Sequence, residues 1–210
     1  MVAKAYHKKI QLVSLFSLVG SLYCSFFLSK EAILCCFLLI VFTGVYAIPV
    51  LPKARNFRDL GGLKIILVAL VWSGITVIIP FLNLKQSLTW DVYMEALQRF
   101  IIVLILLIPF EIRDLKHDPP ELNTLPQRYG VTKSKIFGAY AVVLFFLMTY
   151  LKDVVTTLDL VSKGILFLTL GVLMYGTKRN QSKYFSSFWV ESIPIFWLGI
   201  VYGVYLFVGM

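Results

Sequence analysis

Seven long apolar runs, three of them free of charge from end to end, constrain this chain more than anything else in it. They fall at about Leu12–Leu28, Ala32–Val50, Leu63–Leu82, Val92–Ile112, Ile136–Leu151, Leu160–Gly176 and Phe188–Val208. Crossing a bilayer takes about 20 mostly apolar residues when each rises about 1.5 Å. Without water to bond the backbone, only helices or closed barrels can span. These runs are continuous rather than alternating, so they predict helices. Composition agrees: 59% of the 210 residues are hydrophobic and 15% are charged, against about 45–50% and about 25% in soluble domains. The expected fold is all-α, a polytopic membrane bundle forming a single domain over residues 1–210.

Charge position orients the bundle. With seven spans, alternate loops share a side. One side collects Lys4, Lys8 and Lys9, then Lys53, Arg55, Arg58 and Lys64, then Arg113, Lys116, Arg128, Lys133 and Lys135, then Lys178, Arg179 and Lys183. The other keeps Lys30, Lys85, Arg99, Lys152 and Lys163. Basic residues in short loops mark the cytoplasmic side, so the N-terminus is expected inside, in a bacterial inner (plasma) membrane. The net charge of +9 thus reads as topology, and a nucleic-acid partner is not expected. The first run is read as a retained helix rather than a signal peptide, since no small-residue cleavage site follows it. Cys24, Cys35 and Cys36 lie in apolar runs without CxxC spacing and read as buried apolar filler. Glu95 and Arg99 are expected at the outer interface.

The densest chemistry follows the fourth run: Pro109-Phe-Glu-Ile-Arg-Asp-Leu-Lys-His-Asp-Pro-Pro120. On a continuing helix, Glu111, Asp114 and Asp118 share one stripe, and Asp114 and Asp118 form an i, i+4 pair. Two carboxylates so close need a counter-charge. Mg²⁺ suits them, because it keeps several waters and is held by one or two carboxylates together with substrate phosphates. Ordinary interfacial pairing with Arg113, Lys116 or Arg128 fits the same residues. Pro119-Pro120 should end the helix near Asp118. Glu191 lies about one turn into the last run, where a carboxylate is costly. It either joins an acidic cluster or pairs with Lys183 or Arg179. Pro80, Pro109 and Pro194 are expected to kink their helices.

The stretch Ile112-Arg-Asp-Leu-Lys-His-Asp118, followed by Asn123-Thr-Leu-Pro-Gln-Arg-Tyr-Gly130, resembles the second aspartate motif of the UbiA superfamily of intramembrane prenyltransferases. There an acidic stretch precedes a Thr-Leu-Pro segment and an Arg-x-Gly turn. Upstream, Tyr46-Ala-Ile-Pro49 with Lys53 is similar to the family's Tyr-x-x-Pro…Lys block, and order and spacing agree. The resemblance implies a helical bundle whose cytoplasmic cap binds an isoprenyl diphosphate through Mg²⁺ and transfers the prenyl group to a lipophilic, quinone-precursor-like acceptor. By matching positions, Asp114 and Asp118 hold the metal and Lys53 and Arg128 contact diphosphate, with Tyr46, Glu111 and Glu191 as accessory residues. The family's first motif, of Asn-Asp-x-x-Asp-x-x-x-Asp type, has no counterpart. The other aspartates are Asp59, Asp91, Asp153 and Asp159. Either the chain lacks the family's first two helices, or it is a divergent branch. A non-catalytic relative, working as a lipid-binding or assembly partner, is the alternative to an enzyme.

Seven spans also fit a transporter or a retinal protein. The last run has no lysine to carry retinal, and the mid-span regions are nearly free of the polar or broken helices a transporter uses.

Overall fold

The computed structural model describes residues 7–47, 61–118, 122–182 and 184–208. All regular structure among them is helical. In chain order, α1 is His7–Ser25 and α2 is Lys30–Ala47. Helix α3 starts as Gly61–Ser73, passes through a π-helical segment at Gly74–Ile78 and ends as Ile79–Asn83. Helix α4 is Trp90–Asp114. Helix α5 is Leu125–Leu147, closing in a 3₁₀ turn at Met148–Leu151. Helix α6 is Thr157–Gly176, and α7 joins a π segment, Phe185–Val190, to Glu191–Val208. Five of these, α3 to α7, are long and apolar enough to cross a membrane. Seven helices therefore stand where seven spans were expected, with α1 and α2 outside the five.

Two of the three prolines follow π segments. Pro80 and Pro194 come just after Gly74–Ile78 and Phe185–Val190. A proline lacks the N–H of the i→i−4 ladder and clashes with the carbonyl four residues back. A widened turn ahead of it relieves both. Helix α4 runs unbroken through Pro109.

The core sits among α4, α5, α6 and α7. Ile105 and Ile112 of α4 meet Phe145 of α5 and Leu166 and Leu170 of α6, all fully buried, and Trp197 of α7 closes the cluster. Against lipid such an interior gains little hydrophobic drive, so close packing must carry it. Gly138 shows how close: a Cβ there would run into the Met174 sulfur on α6. Helix α1 is the opposite case, with every side chain from Lys8 to Cys24 exposed. The turn after it is tied to the end of α3, where Ser29 N donates to Asn83 Oδ1 at 2.8 Å and Ser29 Oγ to the Leu82 carbonyl at 2.9 Å. The cysteines are not buried as expected. All three are free, Cys24 is exposed and Cys35 and Cys36 are half-buried, because α1 and α2 have few neighbours to cover them.

Candidate functional site

Helix α4 carries charge at both ends, and the two ends are built differently. At its Asp114 end the helical pattern continues one turn, with His117 N and Asp118 N both donating to the Asp114 carbonyl at 2.8 and 2.9 Å. Asp114 and Asp118 thus stay one turn apart, as their spacing predicts. Arg113 folds over its neighbour: Nε donates to Asp114 Oδ1 at 2.7 Å and Nη2 to Oδ2 at 3.0 Å. Its Nη1 reaches Ser187 Oγ on α7 at 3.2 Å. Asp118 and the exposed Glu191 lie within electrostatic reach of the same guanidinium. Three predicted site residues therefore gather around one arginine.

The start of α5 completes this end. Glu111 Oε2 accepts the Leu125 N–H at 3.3 Å, supplying a partner for one first-turn N–H that has none within the helix. Thr124 N donates to Gln127 Oε1 at 3.0 Å, one arm of a capping box. Gly130 breaks the helix with φ 80° and ψ 164°, a region essentially closed to residues with a Cβ. The Arg128-Tyr129-Gly130 segment is thus a real turn, and the expected helix start at Ile136 moves back to Leu125. Hydropathy missed it because Gln127, Arg128, Lys133 and Lys135 interrupt the apolar run.

The α6–α7 connection folds across the same end. Gln181 Nε2 donates to the Pro109 carbonyl at 2.9 Å and to Ser186 Oγ at 2.7 Å. Between these pieces lies a cleft of about 430 Å³ whose lining includes Asp118, Asn123, Gln127, Gly130 and Arg179. Of the expected contacts, Asp118 faces it. Arg128 is exposed and not part of its wall, and Arg179 supplies the cation there. Arg179 had been read only as a partner for Glu191, since nothing local joins a residue of the α6–α7 loop to Asp118. Lys53 lies outside the described residues, and Tyr46 is in α2 with its side chain undescribed.

Among the described residues no group of three His, Cys, Asp or Glu side chains stands ready for a metal. Both Asp114 oxygens are engaged by Arg113, whereas the Asp118 carboxylate takes part in no ion pair or hydrogen bond among them. One free carboxylate, with a second a turn away, suits an ion that keeps most of its waters and takes the rest of its ligands from phosphate.

The far end of α4 holds a network that sequence reading placed at the interface. Lys163 of α6, 2% exposed, donates from Nζ to Glu95 Oε2 and Gln98 Oε1, both at 2.7 Å, and lies 3.1 Å from Asp159 Oδ1. Lys152 bridges the same two carboxylates at 3.1 Å each. Buried Gln98 donates onward to the Phe145 carbonyl and Thr149 Oγ1 at 2.9 and 3.0 Å. Glu95 is thus drawn inward by its partners. A signal existed: opposite charges inside the fourth and sixth runs, near the same end, are expected to find each other.

No family model, curated protein or solved structure matches this chain.

Proposed function

We propose that the chain is an integral membrane protein of the UbiA type, a prenyltransferase homologue that binds an isoprenyl diphosphate through Mg²⁺ at its basic, cytoplasmic face. The observation that carries this reading is the cleft at the Asp118 end. A free carboxylate, an arginine and amide side chains converge there on the glycine turn that the resemblance requires. Asp118 and Asp114 would hold the metal, and Arg179 would face the diphosphate in the role expected of Arg128, with Lys53 joining from the preceding loop. When bound, the metal offsets the negative charge that builds on diphosphate as the prenyl group leaves. The chain's own part is to fix that group: Glu111 anchors the start of α5, and Gln181 anchors the α6–α7 loop to α4. The prenyl tail needs apolar surface. The α4–α7 interior is filled by its own side chains, whereas a groove of about 400 Å³ between α6 and α7, walled by Leu173, Phe185, Trp189 and Phe196, offers it.

A second reading, a non-catalytic relative that binds the lipid without transferring it, is favoured by the Arg113 clamp on Asp114. The first test is titration of purified protein with geranylgeranyl diphosphate, with and without Mg²⁺. Binding should need the metal and weaken at least about tenfold in Asp118→Ala, the loss expected for a charge-assisted contact of about 1.5–3 kcal/mol. Binding indifferent to chelator, Asp114→Ala and Asp118→Ala would sink the site. Metal-dependent binding without turnover on any acceptor selects the second reading.

A further inference from the structure

Helices α5 and α6 leave a hollow of about 360 Å³ between them, on the flank of α6 away from the α6–α7 groove. Lys135, Ile136 and Ala139 of α5 and Gly171, Met174 and Tyr175 of α6 are among its walls. It opens on the outer surface of the bundle, where Ala139 and Tyr175 are exposed. Both helices are long and apolar enough to cross a membrane, so what fills an outward-facing hollow there is lipid. Small residues make the space. Gly138 lets α5 approach Met174 closely, whereas a Cβ on Gly171 would meet nothing within 4 Å.

One charge stands in this wall. Lys135 Nζ donates to the Tyr175 carbonyl at 2.9 Å, one of the carbonyls that a helix leaves open at its C-terminus. An ammonium has three N–H donors, so two remain, and a carbonyl does not answer the charge. Among the described residues Lys135 makes no ion pair. No Asp or Glu occurs from 122 to 152 or from 160 to 190. Asp159, the acid within α6, is sixteen residues from Tyr175, about 24 Å along the axis. The acids of neighbouring elements at this end have other partners. Glu111 accepts from Leu125 and Asp114 from Arg113, Asp118 lines its own cleft, and Glu191 is within reach of Arg113. Nearby in sequence, Lys133 and Lys178 are exposed and add positive charge.

The height of that charge is also fixed. Tyr175 is the last residue but one of α6, so its carbonyl holds the ammonium at the helix end. Lipid headgroups and interfacial aromatics share that level. Ala139 and Gly171 lie one turn further in, about 6 Å.

We propose that the α5–α6 hollow binds one anionic phospholipid, with its phosphate on Lys135 and an acyl chain along Ala139 and Gly171. The site is separate from the Asp118 cleft and from the α6–α7 groove. Phosphate oxygens take the two remaining ammonium donors and supply the missing negative charge, a charge-assisted contact of the strong kind. The exposed Thr132, one turn before Lys135, offers a hydroxyl to the same headgroup. A zwitterionic lipid fills the hollow equally well, but its own cation offsets the electrostatic gain.

The test uses the purified full chain in mixed micelles and reads the helical circular dichroism on heating. The probes are phosphatidylglycerol, phosphatidylcholine with the same acyl chains, and glycerol 3-phosphate as a headgroup without chains. Near ten times the level for half-saturation, phosphatidylglycerol should raise the midpoint by about 3–6 °C, and the other two by far less. Two variants separate a site from general attraction to a basic surface. Lys135→Met should lose most of the phosphatidylglycerol shift. Gly171→Leu fills the hollow without touching a charge and should lose the shift too. Its lipid-free midpoint should be kept or raised, since glycine is a poor helix former. Either variant carries the test if the other fails to fold. A lysine that only caps α6 would behave otherwise: Lys135→Met would lower the lipid-free midpoint and keep the full shift. The proposal is overturned by equal shifts from the two lipids, by glycerol 3-phosphate matching the lipid, or by a full shift in either variant. A lower lipid-free midpoint in Gly171→Leu would also overturn it, because the hollow would then not be open.

Discussion

The two ends of α4 carry similar numbers of charges and use them in opposite ways. At the Glu95 end the carboxylates of Glu95 and Asp159 are each shared by Lys152 and Lys163, and Gln98 ties the cluster to α5. At the Asp114 end the one ion pair among the described residues joins neighbours in sequence, and Asp118 faces a cleft open to solvent. The first arrangement leaves no room for a ligand and binds three helices together. The second holds little together and leaves a carboxylate and an arginine unspent. Under the proposed function, stability and chemistry are segregated along one helix. Rigid packing at one end lets the other remain under-satisfied, as binding sites generally are.

The strongest way to break that contrast is to remove Glu95. In Glu95→Ala, Lys152 and Lys163 are left with Asp159 alone, and losing one partner of a buried ion pair typically costs about 3–5 kcal/mol. Unfolding by denaturant in detergent should show a loss of that order, while Mg²⁺-dependent diphosphate binding by the surviving folded fraction stays the same. A variant as stable as the parent would mean the network is not buried as described. A smaller effect is expected from Gly130→Ala at the other end. Its φ of 80° with ψ 164° costs a residue bearing a Cβ about 1–3 kcal/mol, although the space beside it is open. Here the loss should be local: amide exchange should speed up over Leu125–Tyr129 while α4 and α6 keep their protection. Global unfolding without that local signature would show that the turn belongs to the stability end of the comparison.

How much of this was legible in the sequence follows from what kind of fact each feature is. Apolar runs are local, so helices α3 to α7 appear close to where hydropathy puts them. The start of α5 was missed because it is set by a capped turn, with Thr124, Gln127 and Gly130 doing what apolar periodicity does elsewhere. The Asp114–Asp118 register was readable from spacing alone. The pairing of Asp114 with Arg113 was among the open alternatives, although adjacent residues on a helix do not ordinarily face each other. The arginine reaches it only by curling back along the helix end. The Lys163–Glu95 contact, and the cleft that Arg179 and Asp118 both line, bring together residues more than 60 positions apart. Only the packing of α4 against α6, and the fold of the α6–α7 loop, creates them. Of the buried network, the Asp159–Lys163 contact is the part that follows from local spacing, as an i, i+4 pair.

The smallest predicted effect is also the most discriminating about the closed end. Lys152 lies between α5 and α6, and burial works to strip its proton. The carboxylates of Glu95 and Asp159 outweigh that and hold the ammonium above the ordinary lysine value of 10.5. A group whose pKa is raised by folding contributes stability that is complete below its unfolded value and is lost as pH climbs through the folded one. The contribution of Lys152 should therefore be flat from pH 7 to about 9.5 and begin to fall only above about 10.5. Chemical unfolding of the parent and of Lys152→Met across that range tests it. The difference between them should stay constant up to about pH 9.5 and close only above about pH 10.5. A difference that shrinks between pH 7 and 9 would mean the ammonium is losing its proton too early. Burial would then be winning over the two carboxylates, and the end of α4 that looks closed would be the one under strain.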